Sequence, residues 1–190
     1  MISAFEYVTI LISIVLGLGI TQILTGIADL IHQSNRVKVY WPHCIWVLLV
    51  LVMHVQDWWV TYDLRNYTWR LPTFLFNMLY PVNLFVLARL LFPFGIQEGT
   101  ADLKVFYFEN YRKIFGFTWG LMLLAILDEV FIRNTDWSNV IFKSFLLATM
   151  VFLIARNTLA EWAHQLIAVL FLLLMVLSII VEWNVWLIGG

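Results

Sequence analysis

The sequence predicts an all-α fold: a polytopic transmembrane helical bundle of about six spans, with both termini on the same side. Three observations predict it. Of the 190 residues, 63% are hydrophobic and only 12% are charged, whereas soluble domains carry about a quarter charged residues. A chain this short cannot hide so much apolar surface from water in a core of its own. The apolar residues also fall in runs close to the ~20 that a helix needs to cross a ~30 Å hydrocarbon layer. Polar and turn-forming residues collect between the runs, in "HQSNRVK", "YDLRNY", "FGIQEGTADLK" and "RNTDW".

The first span, Tyr7–Ile31, follows Ser3 and Glu6, the spacing of a capping box. No Lys or Arg precedes it and it is longer than the apolar part of a secretory signal, so a retained helix is expected. The second, Pro42–Thr61, and the third, Leu71–Phe92, each carry proline where a first helical turn tolerates it. The fourth, Ile114–Ile132, is preceded by Asp102–Lys113, which mixes charges with aromatic residues. Two readings fit that stretch: an interfacial amphipathic turn, or the first turns of a longer fourth helix. The fifth span is Ser138–Ala155. The sixth, Trp162–Leu187, follows a second capping-box pair, Thr158 and Glu161. Short connections make sequential helices antiparallel neighbours, and residues 1–190 read as one transmembrane domain.

Basic residues in the connections set orientation. With the N-terminus outside, seven of the 11 Lys and Arg residues fall on the inner side, which favours both termini outside.

The stretch "GLGITQILTGIAD" raises a question of faces. At about 100° per residue, Leu16, Ile20, Ile23, Leu24, Ile27, Leu30 and Ile31 gather on one side, which suits acyl chains. Gly19, Thr21, Gln22, Thr25, Gly26 and Asp29 gather on the other. Lipid tails are as apolar as leucine, so membrane helices associate through close contact of small residues and through interhelical hydrogen bonds. Ser13, Gly17, Thr21 and Thr25, spaced by four, are therefore expected to form a helix-packing ridge, with Gly26 on the same side. Gly116 and Gly120 form a GxxxG pair in the fourth span and carry the same expectation.

Ionisable groups within spans are costly, about 2.5–3.5 kcal/mol at the centre on insertion scales, and so mark candidate sites. His54 is the deepest, and Asp57, three residues on, shares its side of the helix. One reading is a His–Asp pair facing a hydrated cavity, able to bind a cation or relay a proton. The other places Asp57 among the outer headgroups beside Trp58 and Trp59. The third span holds Asn77, Tyr80, Pro81 and Asn83. Pro81 removes the donor to the Asn77 carbonyl and is expected to kink the helix, and broken helices with freed carbonyls serve ion sites in transporters. Gln22, Thr25, His54, Asp57, Asn77, Tyr80 and Asn83 together form a candidate polar path or ion-binding site. Asp128, Glu129 and Glu182 read either as an acidic outer mouth or as solvated helix ends.

No catalytic residue is assigned. The GxSxG, P-loop and GxGxxG patterns are absent. No metal-ligand spacing appears, so no metal and no cofactor are expected, although His32, His43 and His164 near the inner face keep a haem or quinone reading open. The single Cys44 forms no internal disulfide. A net charge of -1 offers no basic excess for nucleic acid. The expected partners are the lipid bilayer and, through the small-residue faces, a second copy or another membrane protein.

The segments "ISIVLGLGITQIL" and "WPHCIWVLLVLVMHVQDWW" resemble a loose group of uncharacterised bacterial multi-pass inner-membrane proteins, which share a glycine-rich first span and a second span ending in tandem tryptophans. The resemblance covers the first two spans. It implies a bacterial inner membrane and no activity, so it assigns no functional residue. Three functions remain in view. The leading one is a small cation or proton transporter or channel. The others are a non-transport assembly, signalling or defence subunit that binds other membrane helices, and a haem- or quinone-binding redox protein.

Overall fold

The computed structural model of the chain describes residues 2–93, 101–133, 141, 144–145, 148–149 and 159–181. Among the described residues, five long helices carry the fold: α1 (Ala4–His32), α2 (Trp41–Val60), α3 (Leu71–Leu90), α4 (Leu103–Asp128) and α5 (Glu161–Val181). All five are long and apolar enough to cross a membrane. The expected fifth span, Ser138–Ala155, lies outside the described residues except at positions 141, 144–145 and 148–149, which are helical.

Local chemistry sets the helix starts. The Ser3 hydroxyl accepts from the Glu6 N–H at 3.1 Å and the Glu6 carboxylate accepts from the Ser3 N–H at 2.7 Å, closing the expected capping box. Pro42 and Pro72 lie in the first turns of α2 and α3. The Asp102 carboxylate caps α4 by accepting from the N–H groups of Lys104 and Val105.

That cap decides between the two readings of Asp102–Lys113. The segment is the start of one continuous helix, and Leu103, Tyr107 and Tyr111 are buried. Glu109, Arg112 and Lys113 share its outward side, so the charges do not lift it off the bundle.

Helices α1 to α4 alternate in direction, and α5 runs parallel to α4. The end of α1, the start of α2, the end of α3 and the starts of α4 and α5 gather at one end, called here the near end. Gly26 meets Phe92 there, His43 bonds the Leu91 carbonyl, and Lys104 pairs with Glu161. A two-residue parallel pairing of β1 (Val37–Lys38) with β2 (Ala101–Asp102) ties two connections together at the same end. Because α1 starts at the far end and α5 runs towards it, the described chain begins and finishes on one side, as six spans require. α3 packs between α1 and α4, and α2 touches α1, α3 and α5. Trp46, Tyr107, Phe115, Leu84, Leu87 and Leu91 are fully buried among them.

The packing face of α1 differs from the expected one. Val8, Ile12, Leu16, Gly19, Ile23 and Gly26 are buried, at spacings of three and four. This stripe lies between the two expected sides, taking Leu16 and Ile23 from one and Gly19 and Gly26 from the other. The expected ridge faces away from the other described helices. Thr21 and Thr25 are exposed, Ser13 is half-buried, and a Cβ on Gly17 would meet nothing within 4 Å among the described residues. The Thr21 hydroxyl donates to the Gly17 carbonyl of its own helix at 2.8 Å. A hydroxyl satisfied in this way needs no neighbouring helix. The GxxxG pair is split likewise: Gly120 receives the Asn83 amide, while a Cβ on Gly116 meets nothing within 4 Å among the described residues.

Candidate functional site

Asp57 lies in the last turn of α2, which ends at Val60 and passes into a 3₁₀ turn through Asn66, and its side chain is half-buried. Asp128 and Glu129 are also half-buried rather than solvated, because α4 passes from Asp128 into a π-helical turn, Glu129–Arg133. Such turns recur at functional sites, since the extra residue re-aims neighbouring side chains. Glu182, the third member of the proposed outer mouth, lies outside the described residues.

Tyr80 stands at the middle of α3, which packs against both α2 and α4. Asp57 from α2 and Asp128 from α4 both lie close enough to its phenol to interact with it electrostatically. One turn along, Asn83 packs its amide onto Gly120, where a Cβ would stand 2.7 Å from Nδ2. Its Oδ1 is buried with no hydrogen-bond partner among the described residues. The Asn77 amide donates to the Thr73 carbonyl at 3.0 Å. α3 runs through Pro81 as one uninterrupted helix from Leu71 to Leu90, so the proline does not break it. Pro81 has no N–H, and the Asn77 carbonyl therefore lacks its ordinary helical donor. Asp57, Tyr80, Asn83 and Asp128 thus form a polar seam where α2, α3 and α4 meet.

His54 belongs to a different seam. Its Nδ1–H donates to the Val50 carbonyl at 2.7 Å, which leaves Nε2 as a lone-pair acceptor. The ring is fully buried and meets Gly19 of α1, and Nε2 has no hydrogen-bond partner among the described residues. Gln22 is half-buried and Thr25 faces outward. The seven residues of the expected path are therefore divided between the α1–α2 contact, the α2–α3–α4 seam and the outer surface of α1. Helical spacing placed His54 and Asp57 on one side, but the neighbours on that side are different helices.

The near-end histidines have structural partners. His43 Nε2–H donates to the Leu91 carbonyl at 2.7 Å, serving an acceptor that the end of α3 leaves open. The His164 ring lies among Tyr107, Phe108, Tyr111 and Phe115, and its Nδ1 is hydrogen-bonded to the Tyr107 hydroxyl at 3.0 Å. His32 is exposed at the foot of α1. The three histidines thus occupy three separate settings. No three His, Cys, Asp or Glu side chains among the described residues gather closely enough to hold a metal ion. Nearby, burial and the negative charge of Glu161 push the Tyr40 phenol up to about 12.

The Tyr107–His164 clasp was not anticipated from the sequence. Its signal is the repeat Leu103, Tyr107, Tyr111, Ile114, Thr118, Leu121, an apolar and aromatic stripe at helical spacing.

Fold and composition define the class: an all-α bundle of helices long and apolar enough to span a membrane. No protein-family model, curated protein or solved structure matches the chain.

Proposed function

We propose that this protein moves a small cation or a proton across a membrane, and that the α2–α3–α4 seam is where the ion is held. The observation that supports the reading is a pair of carboxylates, Asp57 of α2 and Asp128 of α4, on helices that both pack against the one carrying Tyr80 and whose charges both act on its phenol. They come from different helices and both are half-buried within membrane-spanning segments. Carboxylates gathered where the dielectric is low repel one another, and a bound cation or a proton relieves that repulsion. Oxygen ligands suit a hard cation, and the Asn77 carbonyl freed by Pro81 and the buried Oδ1 of Asn83 supply neutral ones on the same helix. On the resemblance of the first two spans, the membrane is a bacterial inner membrane.

The test is flux into proteoliposomes, driven by a pH gradient or by a sodium or potassium gradient. Wild-type protein should carry at least one of these ions, and Asp57→Asn and Asp128→Asn should each reduce the flux at least about tenfold, the effect of about 1.4 kcal/mol at the site. His54→Ala should have a smaller effect, because its ring faces the other seam. Flux undiminished in both Asn variants would remove the site, and no flux of any of these ions would remove the function.

A further inference from the structure

At the foot of α1 the chain forms a cleft of about 410 Å³ lined by His32, Gln33, Asn35 and Arg36. That volume lies within the range of small-molecule sites. All four side chains carry hydrogen-bond donors, and Arg36 adds a permanent positive charge. None of the four makes a side-chain hydrogen bond or ion pair with another described residue. The nearest acid along the helix, Asp29, lies one turn earlier and does not line the cleft. Lys38, two residues beyond Arg36, stands 4.0 Å from the Asp102 carboxylate, so its charge is turned towards β2.

Depth identifies the chemistry of the occupant. α1 has 29 residues and is therefore about 43 Å long at 1.5 Å per residue, well beyond the ~30 Å hydrocarbon layer. Centred on that layer, a helix of this length places its last turn among the headgroups. Exposed apolar side chains border the cleft in sequence: Ile31 just before it, Val39 and Trp41 just after. They suit the upper part of an acyl chain, and a tryptophan is at home at that depth. The strand pairing of Val37 and Lys38 with Ala101 and Asp102 anchors the end of the segment.

We propose that this cleft binds the phosphate of an anionic phospholipid, with the Arg36 guanidinium as the charged ligand and His32, Gln33 and Asn35 as neutral donors. Guanidinium and phosphate match in shape as well as charge, two parallel N–H groups meeting two oxygens. The site is separate from the acidic seam, and its failure would leave the transport reading untouched.

The experiment measures the melting temperature of delipidated protein in neutral detergent against added phosphatidylglycerol, phosphatidylcholine or water-soluble glycerol 3-phosphate. Phosphatidylglycerol should raise it saturably, and the other two should not at equal concentration. Arg36→Gln should weaken the apparent phosphatidylglycerol affinity about tenfold, on the scale of one charge-assisted bond. Arg36→Lys should lose part of that, and Arg112→Gln, which removes an exposed charge on α4, should lose none. Equal response to phosphatidylcholine would overturn the proposal, as would equal loss in Arg112→Gln or an unchanged affinity in Arg36→Gln. Stabilisation by glycerol 3-phosphate alone would show a soluble phosphate ester as the occupant and overturn the lipid assignment.

Discussion

Replacing Gly19 by alanine places a methyl group against the His54 ring. The new Cβ would stand 2.7 Å from Cδ2 and closer still to Nε2, well inside ordinary contact distance. The ring is fully buried and held by the Nδ1–H bond to the Val50 carbonyl, so it cannot swing aside without losing that bond. Overpacking of this kind costs about 1–3 kcal/mol, and the strained hydrogen bond adds about 1 kcal/mol. The better helix propensity of alanine returns about 1 kcal/mol. The expected net destabilisation is about 2 kcal/mol, near 2–4 °C in melting temperature for each kcal/mol in a chain of this size. Gly17→Ala, where a methyl meets nothing within 4 Å among the described residues, should be neutral or slightly stabilising. Thermal unfolding of both variants in the same detergent is the assay. Stable Gly19→Ala together with destabilised Gly17→Ala would refute the assigned face of α1 and restore the outward ridge as the packing surface.

Other perturbations follow from the same contacts. Gly120→Ala should destabilise by roughly 1 kcal/mol or more as Asn83 is displaced, whereas Gly116→Ala should not; the same melts decide it. His43→Ala strips the Leu91 carbonyl of its donor in a buried place and should cost about 1–3 kcal/mol on top of lost packing; a melt equal to wild type would show that bond to be idle. Glu161→Gln removes an ion pair whose partners are 49% and 40% exposed, so the loss should be no more than about 1 kcal/mol and should vanish in high salt. Tyr40 is held above its ordinary value, at about 12; its neutral form is favoured in the folded state, so its contribution is complete below about pH 10 and is lost as pH rises towards 12. Tyr40→Phe should therefore soften the alkaline fall in stability, and an unchanged alkaline limb would contradict this.

Much of the architecture is legible in the residues. Length of apolar run, Pro42 and Pro72 in first turns, and the Ser3–Glu6 box place helix starts without reference to packing. The faces are harder, because in lipid both sides of a helix are apolar and polarity no longer marks the interior. Thr21 illustrates the difficulty: its hydroxyl is polar in the sequence yet spent on Gly17 of its own helix. The true markers on α1 are Gly19 and Gly26, two turns apart, one opposite the His54 ring of α2 and the other opposite the Phe92 ring just past the end of α3. Charge misleads on α4 in a similar way. Glu109, Arg112 and Lys113 suggest a surface segment, while Tyr107 and Tyr111 on the same turns face inward. Asp57, Tyr80 and Asp128 each stand out in the sequence, but their meeting depends on which helices are neighbours, and no local pattern encodes that.

The ties at the near end bear on how the bundle moves. His43 to Leu91, Tyr107 to His164, Lys104 to Glu161 and the β1–β2 pairing stitch α2, α3, α4, α5 and their connections together on one side of the membrane. A breathing motion that spares those stitches pivots about them, like tongs held at the rivet, and parts the helices most on the opposite side. Asp57 and Asp128 lie in that opposite half and Tyr80 at mid-helix, so under the proposed transport function ions would enter from the side where α1 starts.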